Sequence, residues 1–237
     1  MLKVDLHLHS REDPLDNIPH DAFALIDRAG RLGFDALALT LHDRQLTDSR
    51  VFEYARARGI LLIPGVERTL RGRHILLINF PKAAEDVTSF DEIARLKSSH
   101  NGVVIAPHPF FPDRKCLRGM IDERPDIFDA VEWSYFWTKR INFNARATRW
   151  AHAYGKPVVG NSDTHDLRQL GRTFSWVDSE RHPDAICDAV RNGKVILRTE
   201  PVPPPELAQV VGAMAVRGLS PKARRESALD RTSPVEL

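Results

Sequence analysis

Histidines and acids recur in this sequence at the ends of apolar runs. The first run alternates Leu2, Val4, Leu6 and Leu8 with Lys3, Asp5, His7 and His9, the period-two pattern of a strand. The run LALTLH ends in His42, ILLIPGVE in Glu67, VVIAPH in His108 and PVVGNSDTH in Asp163 and His165, while HILLINF opens on His74 after the turn RGR. Of the ten histidines, His7, His9, His42, His74, His108 and His165 hold such positions; His20, His100, His152 and His182 fall in helices or turns and read as surface residues. Imidazoles mixed with carboxylates suit Zn²⁺, Mn²⁺ or Fe²⁺, whereas Ca²⁺ and Mg²⁺ prefer oxygen alone. More than five such groups exceed what one tetrahedral ion can use. Two or three metals are therefore expected. A relay through Ser10 or Ser162 to one histidine and one acid would leave the other histidines without a role.

Apolar strands alternate with helical stretches of ten to fifteen residues along most of the chain. Phe23, Ile26, Ala29 and Leu32 are spaced for a helix that ends on Gly33, and FDALALTLH follows as a strand; SRVFEYARARG, FDEIARLKSSHNG, NFNARATRWAHAYG and HPDAICDAVRNG repeat the helical pattern. This is the signature of βα units around a mainly parallel sheet, an architecture that gathers functional groups at the carboxyl ends of its strands. Alternation places His7 and His9 on one face, toward a barrel axis, with the leucines on the outer, helix-facing side. Residues 1–200 read as one domain. From Pro201 the sequence PVPPPE, followed by a charged end poor in large apolar residues, reads as a flexible tail over 201–237.

The 237 residues suit one barrel domain. With 34 basic against 32 acidic residues the formal charge is only +2, so no strongly basic footprint advertises nucleic acid. Cys116 and Cys187 have no CxxC spacing and read as reduced, buried thiols. Without a basic region leading into an apolar run, or a stretch of about 20 apolar residues, a cytoplasmic protein is expected.

The ordered set DLHLHS, LALTLHD, PGVE, His74, APHP and GNSDTH resembles the motifs of the PHP (polymerase and histidinol phosphatase) family of metal-dependent phosphoesterases, from about residue 3 to about residue 198. The resemblance implies an α/β fold, a distorted (β/α)7 barrel with a trinuclear metal centre at the C-terminal ends of its strands. Carried over residue by residue, it implies that His7, His9, Glu67 and Asp163 hold one metal, and that Glu67 bridges to a second held by His74 and His108. His42 and His165 would hold a third with an acid from SREDPLD, Asp13 first, with Asp16 or Glu12 as alternatives. His9, Glu67, Asp163 and His165 would be the catalytic group, around a metal-bridging hydroxide that attacks phosphorus in line while the third metal neutralises the phosphate. Mn, Fe or Zn would serve. Relatives usually read Thr-Asp-His where this chain has Leu41 before His42, so an aspartate that orients nearby groups is missing. Asp5 is placed to support the ligands rather than to join them.

A phosphate also wants cationic donors. Arg68, Arg114, Lys115, Lys139, Arg140, Arg168 and Arg172 lie in loops that should rim the site, with Arg168 and Arg172 the expected substrate-binding pair. Trp133, Tyr135 and Trp137, beside Phe110 and Phe111, would offer rings for a nucleobase or else pack the core. The expected partner is thus a small phosphate ester, a nucleotide or an oligonucleotide end. Two other functions fit the motifs: an amidohydrolase-like enzyme cleaving C–N or ester bonds, and a metal-binding module without catalysis. Against the first, the bridging position that an amidohydrolase gives to a lysine is Glu67 here.

Overall fold

The computed structural model describes residues 1–219. Nine strands form one sheet: β1 (Leu2–Leu8), β2 (Ala36–Leu39), β3 (Leu61–Leu70), β4 (Arg73–Ile78), β5 (Val103–Ala106), β6 (Ala130–Ser134), β7 (Val158–Asn161), β8 (Thr173–Val177) and β9 (Val195–Thr199). Six α-helices accompany them: α1 (Ala22–Arg31), α2 (Ser49–Ala57), α3 (Phe90–Ser99), α4 (Asn144–Ala153), α5 (Pro183–Arg191) and α6 (Pro204–Leu219).

The strand order is β7-β6-β5-β4-β3-β2-β1-β8-β9. β1, β2 and β3 run parallel, as do β5, β6 and β7, but β4 is antiparallel to both its neighbours and β8 to both of its own. The barrel is thus two parallel triplets joined by a reversed strand, not seven repeats of one unit. Connection length is the reason. Only Arg71 and Gly72, both at positive φ, separate β3 from β4, which is hairpin geometry, whereas a parallel return needs a crossover of a dozen or more residues. The reversal brings the start of β4, and with it His74, to the end of the barrel where β3 and β5 finish.

The sheet curls until β7 meets β1 and β8, and side chains do much of the joining. Leu8 bridges to Thr164, and His9 N–H donates to the Thr164 carbonyl at 3.2 Å. Asn161 Oδ1 accepts from Leu6 N–H at 3.0 Å, and the Asp5 carboxylate accepts from Ser162 N–H at 3.2 Å. Ser175 Oγ accepts from Gly160 N–H at 2.8 Å and donates to its carbonyl at 3.2 Å. A Cβ on Gly160 would sit 2.5 Å from Leu197 Cδ1 and 2.7 Å from the Phe174 carbonyl oxygen, so the seam closes only over a glycine.

Inside the barrel, Val4, Leu6, Ala36, Ala38, Ile63, Ile105 and Val159 pack together, and α5 adds Ile186, Cys187 and Val190. The outer face of β1 and β2 contributes Leu8, Leu37 and Leu39 to a separate cluster under α1 and α2. Leu6 and Leu8 therefore face opposite sides, which simple alternation forbids. The β1–β2 register shifts between Asp5 and Leu8. This irregularity, of the kind that re-aims side chains beside active sites, turns His7 and His9 inward while the residues below them remain core. Leu8 lies on the outer, helix-facing side as expected; Val4 and Leu6 do not.

Residues 204–219 are helical, where composition predicted a flexible tail from 201. The prolines explain the misreading: Pro204 and Pro205 stand in the first turn, where no intrahelical N–H bond is required. Val202 and Val210 are buried, and Val202 N–H donates to the Trp137 carbonyl at 2.9 Å. The charged end at 220–237 lies outside the described residues.

Gly160→Ala should overpack the seam and lower unfolding stability by about 1–3 kcal/mol, measured by urea denaturation followed by circular dichroism.

Candidate metal centre

All eight strand-end ligands read from the sequence converge at one end of the barrel. His7 Nε2 lies 3.2 Å from His9 Nε2, 3.4 Å from Glu67 Oε2 and 3.3 Å from Asp163 Oδ1; His9 Nε2 lies 3.3 Å from the same Glu67 oxygen and 3.4 Å from the same Asp163 oxygen. Four donor atoms about 2.0–2.1 Å from one tetrahedral ion would stand about 3.3–3.4 Å apart. The spacing fits a metal of that size. The other oxygen of Glu67, Oε1, points away from this cage, 2.7 Å from His74 Nδ1 and 3.4 Å from His108 Nε2, so one carboxylate faces two donor groups. Glu67 Oε1 and His74 Nε2 are buried without a hydrogen-bond partner among the described residues. Asp16 Oδ2 lies 2.9 Å from His165 Nε2, and His42 Nε2 lies 3.1 Å from Glu67 Oε2; His165 shares a set of close donors with His9 and Asp163, and His42 one with Glu67 and His74.

Asp13, the acid that the resemblance put first for the third metal, lies with His9 and His42 in a buried set of donors close enough together to hold an ion. Asp13 Oδ2 accepts from His9 Nδ1 at 3.0 Å, from His42 Nδ1 at 2.9 Å and from His42 N–H at 2.9 Å, and Oδ1 accepts from the N–H groups of Leu15 and Asp16. Asp16 is the carboxylate beside His165. Glu12 accepts from Ala22 N–H at the start of α1. Sequence reasoning missed Glu132. It is fully buried in β6, with Oε1 3.0 Å from His7 Nδ1 and Oε2 accepting from His108 N–H at 2.7 Å. The signal was one charged residue inside the apolar strand AVEWS. His20 also departs from expectation: it is buried and its Nε2 lies 3.0 Å from the His9 carbonyl.

Asp13, Glu67, Glu132 and Asp163 have no lysine or arginine ion partner among the described residues. In the metal-free protein the histidines must answer them. Burial opposes charging His7, but Asp163, Glu132 and Glu67 outweigh it and raise its pKa to about 10. Burial and His9 oppose charging His165, yet Asp163 and Asp16 raise it to about 9. Burial likewise resists ionisation of Glu67 and Asp163, and the surrounding imidazoles hold both well below the usual carboxylate range. His108 and Asp163 adopt positive φ, at 29° and 49°. Such backbone strain, of order 1–3 kcal/mol each, persists where neighbours over-determine a residue.

The expected phosphate-binding pair is already engaged. Arg172 Nη2 donates to Glu206 of α6 at 2.8 Å, and Arg168 pairs with Asp166 at 2.9 Å and reaches Gln209 of α6. Arg68 is held by Asp43 and the Val87 carbonyl. The aromatic run packs the structure: Tyr135 is fully buried with its hydroxyl on Glu206, Trp137 donates to Thr199, and Trp133 stacks edge-on against Trp137. Phe111 is the ring beside the ligands, its centroid 6.4 Å from that of His108 and 5.4 Å from that of the exposed Phe143.

Comparison with solved structures places this arrangement. A two-domain protein from Bacteroides vulgatus containing a predicted PHP-like metal-dependent phosphoesterase superposes with a TM-score of 0.65 at 21% identity, over 90% of this chain and 69% of that one. The chain has the PHP-like fold. A lesion-specific endonuclease from Pyrococcus furiosus shares it (TM-score 0.55, 18% identity, 83% of this chain and 57% of that one). So does an amidohydrolase from Chromobacterium violaceum with bound sulfate (0.57, 16%, 81% and 97%). Residues 142–195 match the family model described as PHP-associated, a span that includes Asp163 and His165. No curated protein matches the chain. The PHP resemblance read from the motifs is borne out. Because the fold hosts proteins named for different chemistries, the reaction must be argued from the side chains.

In metal-free protein, His7 and His165 bind protons more tightly folded, with pKa values of about 10 and about 9, than unfolded at about 6.5. Their stabilisation is full below about pH 6.5 and is lost as pH rises through about 9 to 10. The thermal midpoint of chelator-treated protein should therefore fall across that window, and the fall should vanish once metal displaces those protons. Calorimetry at stepped pH checks this.

Proposed function

We propose that this chain is a metal-dependent phosphoesterase hydrolysing a phosphomonoester or phosphodiester with two or three divalent transition ions, Mn, Fe or Zn. The observation that carries the reading is the cage of His7, His9, Glu67 and Asp163, with Glu67 turned at once toward His74 and His108. Bound there, the ions would supply an activated water and neutralise phosphoryl charge. His9, Glu67, Asp163 and His165 surround the reacting position, and Asp16 with His42 and His165 would complete the third site. Asp13 and Glu132 hold the imidazoles in the tautomer that leaves Nε2 free to ligate. Ser162 Oγ is bonded to Thr164 Oγ1 at 2.5 Å and so is already engaged, which disfavours a serine nucleophile.

A nucleotide-like substrate follows from what lies beside the ligands. Phe111 and Phe143 present apolar rings next to His108, and the loops that carry them also carry Arg114, Lys115, Lys139 and Arg140, all exposed and without a salt bridge among the described residues. These cations replace Arg168 and Arg172 as candidates for a phosphate chain. The fold shared with a lesion-specific endonuclease agrees with such a substrate. Cys116 and Cys187 are buried and unpaired, which suits a reducing, cytoplasmic setting. No helix among the described residues is long and apolar enough to cross a membrane.

The fold shared with an amidohydrolase keeps C–N or ester hydrolysis as the second reading. Glu67 stands where such an enzyme would carry a bridging lysine, and no lysine among the described residues joins the cluster, which weighs against it. A panel of p-nitrophenyl phosphate, its bis-diester, nucleoside 3′,5′-bisphosphates, short oligonucleotides, amides and lactones separates these readings. With Mn²⁺, phosphoesters should be cleaved and amides and lactones left intact. Cleavage of none would support the non-catalytic module. His9→Ala should lower the rate by about 10²–10³-fold, the several kcal/mol of charge stabilisation that one ion supplies. Phe111→Ala should raise KM about tenfold for the nucleotide substrates, as loss of one base stack does, and leave p-nitrophenyl phosphate unaffected.

A further inference from the structure

Two buried carboxylates that the proposed function does not use as ligands, Glu132 and Asp13, each contact two of the proposed ligands and so span two of the proposed sites. Glu132 takes the ring of His7, in the first cage, on Oε1 and the backbone N–H of His108, in the Glu67–His74–His108 group, on Oε2. That bond secures His108 at its positive φ. Asp13 takes the ring of His9, also in the first cage, and both the ring and the backbone N–H of His42 on Oδ2, while its Oδ1 accepts from Asp16 N–H and so fixes the loop carrying the acid beside His165. Glu132 thus reaches His7 and His108, and Asp13 reaches His9, His42 and the Asp16 N–H.

We propose that the centre is built as a hub with two separately supported arms: Glu132 couples metal binding at the first cage to the His74–His108 site, and Asp13 couples it to the His42–His165–Asp16 site. Both are positioning residues. The proposal rests on the three-metal reading above and adds an order of dependence to it. A metal that orders His7 through Nε2 also orders Glu132, which in turn presents His108 for the next metal. The same argument runs from His9 through Asp13 to His42. Neither arm has a carboxylate in common with the other except Glu67, which belongs to the hub.

Glu132→Gln and Asp13→Asn preserve shape but place an amide nitrogen where one acceptor stood, leaving one donor of each pair unanswered. The probe is Zn²⁺ alone, titrated into chelator-treated wild type and both variants, with calorimetry for stoichiometry and long-range ¹H–¹⁵N spectra of the histidine rings to show which sites fill. Wild type should take three ions. E132Q should bind 10–100-fold more weakly at the His74–His108 site while His42 and His165 respond as in wild type; D13N should bind as much more weakly at the His42–His165–Asp16 site, with His74 and His108 unchanged. If both variants weaken all three sites alike, or neither weakens any, the coupling is overturned while the three-metal reading stands. Two ions in wild type overturn the proposal and leave the phosphoesterase reading standing; fewer than two overturn both. Should either variant fail to fold by circular dichroism, the zinc-loaded wild type decides: His7, His9 and His42 should each carry a hydrogen-bonded proton on Nδ1, and ligation through Nδ1 in any of them overturns the scheme.

Discussion

The upper end of this barrel is organised by carboxylate charge that no lysine or arginine among the described residues answers. Asp13, Glu67, Glu132 and Asp163 stand buried among six imidazoles, and each is stable there only because something positive, a proton on nitrogen or a cation between ligands, sits within about 3 Å. An unpaired buried charge would cost several kcal/mol. The requirement explains other features. Asp163 and His108 tolerate left-handed backbone because leaving it would break the cluster, and the seam between β7 and β1 closes at the level where Asp163 must reach His7 and His9.

The cations nearest this charge are spent elsewhere. Arg172 and Tyr135 both engage Glu206 of α6, and Arg217 donates to the His165 carbonyl at 3.3 Å. The C-terminal helix is therefore fastened to the loops after β6 and β7 by polar contacts, with Val202 and Val210 as its apolar anchors. The loops after β5 and β6 carry Arg114, Lys115, Lys139 and Arg140, which are exposed and form no salt bridge among the described residues. Phe111 and Phe143 lie in the same two loops, in ring contact with each other.

Legibility in the sequence followed locality. His7, His9, His42, Glu67, His74, His108, Asp163 and His165 could be read because each follows from its own strand and its own position at a strand end. Glu132 could not: its meaning depends on β1 lying within reach, 125 residues away in sequence. Asp13 and Asp16 share a loop without periodicity, and which of them turns toward His165 is set by N–H groups closing on Asp13. The parallel barrel was visible in the alternation of strands and helices. Its reversed strands were not, because RGR and the segment after His165 had to be measured against the length of a crossover. The helix after Pro203 hid behind prolines that mark a break and a beginning with the same residue.

The register shift in β1 joins two reading frames in one strand. Below it, odd and even positions are assigned as for a barrel core; above it, the assignment is exchanged, and an imidazole takes the side a leucine would have held. A ten-residue segment thus serves as greasy plug and as ligand arm without a turn between them. Grafted as a regular strand, DLHLHS would keep its spacing and lose its aim, because the geometry of the centre is written in the irregularity rather than in the motif.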